Sequence, residues 1–126
     1  MVRAVRGAIQ IDANQADDIQ RGVVDLVQEL VRRNRIDIDR IISIIFSQTR
    51  DLTSLNPATA LRSDQDAGGY RDVPLFCTQE PEYEGAMALM IRVLVTFDTD
   101  EKTESVPVYL NGAERLRSDL FGDRSS

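Results

Sequence analysis

Ala86-Met87-Ala88-Leu89-Met90-Ile91-Arg92-Val93-Leu94-Val95 is an apolar run with one guanidinium inside it. Its β-branched second half predicts a strand over residues 89–97, too continuously apolar for a strand with one wet face. Residues 41–47 (Ile41-Ile42-Ser43-Ile44-Ile45-Phe46-Ser47) read the same way, and so does the shorter stretch 73–77. Three strands therefore read as buried on both faces. To cover them the chain offers one long helix, in which Ile19, Val23, Leu26, Val27, Leu30 and Val31 recur at spacings of three and four up to Arg33. Asn14 is its expected cap, and Asp17 and Asp18 sit at the positive end of its dipole. One helix cannot cover both faces of a sheet. The uncovered face is expected to meet another copy of the chain, making a homo-oligomer.

The rest of the chain fills in around these elements. A first strand is expected over 2–11, weakened at Gly7, with a turn at 12–14. Asn34 and the Asp37/Asp39 pair end the long helix. Asn56-Pro57 marks a helix start, cap followed by proline at the first helical position, for a short helix through 58–62. Residues 63–72, with Gly68-Gly69, read as a loop, and 106–110 as a last strand. A single domain over 1–120 is expected, followed by a frayed tail at 121–126.

Composition excludes several chemistries. With no histidine, the commonest general base and metal ligand is missing. A single cysteine, Cys77, allows neither an internal disulfide nor a cysteine-rich zinc site. A net charge of -6 argues against a nucleic-acid surface. No apolar run approaches the roughly 18 residues that span a bilayer, and residues 1–6 lack the apolar stretch of a signal peptide. The expectation is a cytoplasmic protein without metal or cofactor, binding neither nucleic acid nor membrane. Of its 15 basic residues only Lys102 is not arginine. Codon bias accounts for most of that preference, but arginine is also the side chain that grips carboxylates bidentately.

A few residues look misplaced. Arg92 in its apolar strand is costly unless it has an ion-pair partner or faces a ligand cavity. Arg6 shares a strand face with the small Ala4 and Ala8, which leave space beside it, although a solvent-facing arginine would fit there too. Cys77 and Glu80 end the third apolar strand, and Tyr109 alternates against Val108 and Leu110. Taken singly, these three read as a small buried hydrophobe, a solvated charge and a core tyrosine.

In order and spacing, however, these residues are specific. The segments Arg3-Ala4-Val5-Arg6-Gly7-Ala8, Thr49-Arg50-Asp51-Leu52, Pro57-Ala58 with Arg62, and Val73-Pro74 to Cys77 with Gln79-Glu80 form one part of the pattern. Ile91-Arg92-Val93, Val108-Tyr109-Leu110 and Leu116-Arg117-Ser118-Asp119-Leu120 complete it. Over residues 2–120 the chain resembles the AroH-type chorismate mutases. The resemblance implies an α+β fold: a mixed sheet with one long helix and short helices on one face, three copies packing into a pseudo-barrel homotrimer. It implies conversion of chorismate to prephenate, towards the aromatic amino acids, in sites at the subunit interfaces. Arg6 and Tyr109 would bind one substrate carboxylate, and Arg92 the other carboxylate and the ether oxygen. Glu80 and Cys77 would meet the ring hydroxyl, and Arg62 would enter from the neighbouring subunit. Asn56, Ala58, Thr59, Leu75, Phe76 and Leu116 would complete the walls.

Two features depart from the family pattern. Asn56 stands where an aromatic residue is common, and Thr59 where a lysine is, which makes that wall more polar; Phe76 offers compensating apolar surface. The loop between Arg62 and Val73 is also a few residues longer. Two other functions fit a similar architecture: a trimeric imine-deaminase-like enzyme, whose C-terminal motif this chain lacks, and a non-catalytic binding module.

Overall fold

The computed structural model describes residues 1–64 and 69–117. The expected domain end at residue 120, the tail at 121–126 and the centre of the 63–72 loop lie outside the described residues. Five strands, β1 (Val2–Gln10), β2 (Ile41–Gln48), β3 (Leu75–Gln79), β4 (Met90–Asp98) and β5 (Val108–Leu110), form one sheet in the order β3-β2-β4-β1-β5. β4 lies at the centre, antiparallel to both neighbours, while β3 and β5 pair in parallel on the two edges. The sheet is mixed, as expected. The helices are α1 (Ala16–Arg33) and α2 (Pro57–Ser63).

α1 forms because its apolar positions make one stripe: Ile19, Gly22, Val23, Leu26, Val27 and Leu30 are all buried. Its ends suit the dipole, with Asp17 and Asp18 in the first turn and Arg32 and Arg33, both paired with Glu29, in the last. The stripe packs on Val5, Ile9, Ile44, Phe46, Val93 and Val95, the residues that strand alternation turns to one face of the sheet. α2 lies beside α1 over β2 and β3.

The other face is open in the single chain. Ile45 and Leu94 are each 39% exposed there and Phe76 is 66% exposed. The expectation of strands buried on both faces therefore does not hold within one chain, and β3 is an edge strand rather than a core one. The short helices also divide between the faces. A 3-10 turn, Ala113–Arg117, brings Ala113 and Leu116 against Ala8, Met90 and Tyr109, away from α1.

Three boundaries move for identifiable reasons. Asn14 does not cap α1; the cap position is Gln15, which makes no side-chain bond. Asn14 Oδ1 instead accepts from the backbone N–H groups of Thr53 and Ser54, each at 2.9 Å, and so ties down the loop that leads to α2. β3 starts two residues late, because Pro74 has no N–H and joins the ladder only as an acceptor, from Ile44 N at 2.9 Å. β5 starts at Val108 because Val106 is claimed by the end of α1: Asn34 donates to its carbonyl at 2.9 Å and accepts from its N–H at 2.6 Å.

Gly7 is the closest approach between strand and helix. A Cβ there would lie 2.9 Å from the Val108 carbonyl oxygen and 3.0 Å from Leu30 Cδ1. The carbonyl is fixed by pairing of Gly7 with Val108, so the crowding cannot relax by turning a side chain. Gly7→Ala should cost about 1–3 kcal/mol, read from the urea midpoint at constant m-value. An unchanged midpoint would show that β5 yields freely.

Candidate active site

Strand parity sorts the candidate residues onto two sides of the sheet. On the open face, Arg92 of β4 stands opposite Ala8 of β1 on one side and Ser47 of β2 on the other. Arg6 lies two residues along β1, and Tyr109, buried, pairs with Ala8 across the parallel β1–β5 ladder. Glu80 follows β3, and its N–H extends the pairing by donating to Gln48 O at 2.8 Å. Its side chain, 12% exposed, reaches the same face. There its Oε2 lies 3.1 Å from Arg92 Nε, and its Oε1 accepts from Ser47 Oγ.

Arg6, Ala8, Ser47, Arg92, Leu94 and Tyr109 line a concavity of about 380 Å³. The small Ala8 keeps it open beside Arg92. The Arg92 side chain is 40% exposed and lines it, so the arginine inside the apolar strand both pairs with a carboxylate and faces a cavity. The buried Nε sits at ion-pairing distance from Glu80 but without an acceptor along its N–H direction. No carboxylate pairs with Arg6 among the described residues.

Most of the remaining candidates gather on the helix side. Asn56 caps α2, its Oδ1 accepting from Ala58 N at 2.9 Å and Thr59 N at 3.3 Å. The Cys77 thiol lies 3.2 Å from the same oxygen. Cys77 is thus turned away from Glu80 by strand parity and belongs with Asn56 and Ala58. Burial pushes its pKa up, against smaller opposing effects from Ala58, Asn56 and Arg62, so the thiol stays protonated around neutrality. Arg62 is exposed on α2 and donates weakly to Val73 O at 3.4 Å. A hollow of about 550 Å³ opens beside Asn56, Cys77 and Arg50. Leu75 shares the Cys77 side, Thr59 is exposed, and Phe76 points to the open face beside Ile45. Leu116 packs behind Tyr109.

Sequence reasoning missed Ser47. As the last residue of an apolar run it carries no signal of its own; only the register that sets it opposite Arg92 reveals it. Among the described residues no cluster of acidic or sulfur side chains could hold a metal ion, and no helix is long and apolar enough to cross a membrane.

Comparison with known proteins agrees with the geometry. The family model for chorismate mutase type I matches residues 2–120. Chorismate mutase AroH of Thermus thermophilus is 36% identical over 122 residues, covering 95% of this chain and 97% of that protein. Its namesake from Bacillus subtilis (strain 168) is 30% identical over 121 residues, covering 95% and 93%. The solved structure of a chorismate mutase from Clostridium thermocellum superimposes with a TM-score of 0.82 at 37% identity, over 90% of this chain and 99% of that one.

Proposed function

The chain belongs to the chorismate mutase type I family, and on that premise we propose that it rearranges chorismate to prephenate in pockets completed between the subunits of a cytoplasmic homotrimer. The family match decides against the imine-deaminase-like reading. The observation that carries the proposal is Arg92: a strand-held guanidinium opening into a concavity shared with Arg6 and Tyr109.

The reaction is a pericyclic step within one molecule and calls for no nucleophile, metal or proton shuttle. The enzyme must hold a flexible dianion in its compact form and stabilise negative charge growing on the breaking ether oxygen. Arg6 and Tyr109 hold one carboxylate and Arg92 the other, a positioning effect. Arg92 also faces the ether oxygen as a cation whose orientation is set before the reaction. Glu80 meets the ring hydroxyl from the same face. Arg62, on the helix side of its own chain, closes the pocket of the adjacent subunit; the Cys77 side chain, expected at the ring hydroxyl with Glu80, is turned instead to Asn56 on that helix side. The exposed Ile45, Leu94 and Phe76 supply apolar surface for that contact. A net charge of -6 means that attraction for a dianion is confined to the cleft.

A direct absorbance assay of chorismate loss, with prephenate identified as product, tests the reading; a pure, folded protein with no turnover overturns it in favour of a binding module. The pH dependence is a second check. There is no histidine, and burial raises the Cys77 pKa, moving thiolate formation to higher pH. Turnover should stay nearly flat from about pH 6 to 8.5. A steep bell centred near neutrality would show that a titrating group takes part.

A further inference from the structure

We propose that Ser47 is a positioning residue for the rearrangement, acting through Glu80 on the orientation of Arg92; this rests on the mutase reading above. Each oxygen of the Glu80 carboxylate has its own partner, Oε1 the Ser47 hydroxyl and Oε2 the Arg92 Nε at 3.1 Å. A hydroxyl donating to a carboxylate makes a charge-assisted bond, stronger than a neutral one. The contact is built by the sheet. Ser47 stands opposite Arg92 on one side and Thr78 on the other, and the Glu80 N–H is held by the next residue of the same strand, Gln48.

The consequence concerns direction. Ion pairing alone lets a carboxylate approach a guanidinium from several sides. With Oε1 fixed by Ser47, Oε2 is held against Nε, which leaves the terminal nitrogens of Arg92 for the substrate. The pairing with Nε lies off its N–H direction, so the Arg92 contact by itself does not fix the carboxylate. The Ser47 bond supplies that constraint. Without it, Glu80 can swing to the terminal nitrogens and take up the face of Arg92 that the substrate needs.

The test is steady-state kinetics on the assembled enzyme. Ser47→Ala should lower kcat about 10-fold with KM changed less than about three-fold, a split that a loss of folding stability alone would not produce. Ser47→Thr, which keeps the hydroxyl on a strand-compatible side chain, should recover most of that loss; Ser47→Val, of the same shape without the hydroxyl, should not. In a Glu80→Gln background Ser47→Ala should change kcat less than about two-fold, because coupled residues are not additive. A Ser47→Ala enzyme within two-fold of wild type, a Ser47→Val enzyme as active as Ser47→Thr, or losses from Ser47 and Glu80 that multiply would each overturn the proposal. Wild-type enzyme that turns over no chorismate would instead overturn the reading of function on which it rests.

Discussion

Arg92→Gln should lower turnover by roughly 100- to 1,000-fold in a protein that still folds and assembles. The loss falls on kcat because the contact to the ether oxygen strengthens only as the bond breaks; removing one such donor costs about 3–4 kcal/mol. An acceleration of even about a millionfold requires roughly 8 kcal/mol, so Arg92 supplies a large share and the other contacts the rest. Arg92→Lys should fail nearly as badly. The guanidinium can keep Nε beside Glu80 and still offer its terminal nitrogens to the substrate, a division of roles that a single ammonium cannot reproduce. Folding should survive, because Arg92 is 40% exposed and its strand is held by apolar neighbours on the helix side. Near-normal turnover of a folded Arg92→Gln enzyme would remove the mechanism.

That Arg92 would need an ion-pair partner or a cavity was legible from its apolar run, because a guanidinium is costly among valines and isoleucines; which of the two it has was not, and it has both. α1 was legible for a similar cause: its stripe recurs at spacings of three and four from Ile19 to Val31, and no neighbour is needed to read it. The misreadings have local causes that depend on distant partners. Asn14 suits a helix cap, but the backbone of Thr53 and Ser54 competes for the same oxygen. Val106 has strand-like composition, yet Asn34, 72 residues away, takes its backbone, and Pro107 has no N–H to give a ladder. The separation of Cys77 from Glu80 could have been read, since residues three apart on a strand point to opposite faces. The meeting of Ser47, Glu80 and Arg92 could not, since it depends on the register of β2 against β4 and on β3 continuing one bond past its end.

That separation of the site residues leads to the second large effect. In one chain, Arg92, Arg6, Glu80 and Tyr109 lie on the open face, while Arg62 is on α2 and Cys77 beside Asn56. If each pocket joins one chain's open face to the next chain's α2 side, Arg62→Ala and Arg92→Ala should each be severely impaired as homo-oligomers, because every pocket lacks a cation. A mixture refolded together behaves differently. A pocket is intact when its α2 side comes from the Arg92→Ala chain and its open face from the Arg62→Ala chain. For random equal mixing in a closed ring that chance is one half times one half, so roughly a quarter of wild-type activity should return. Co-denaturing the two variants, refolding them together and confirming subunit exchange by native mass tests this against each variant refolded alone. A mixture that exchanges subunits yet stays as inactive as its parents would place both arginines in pockets of their own chain and end the shared-site proposal. Recovery near a quarter cannot arise from two damaged copies of a site contained within one subunit.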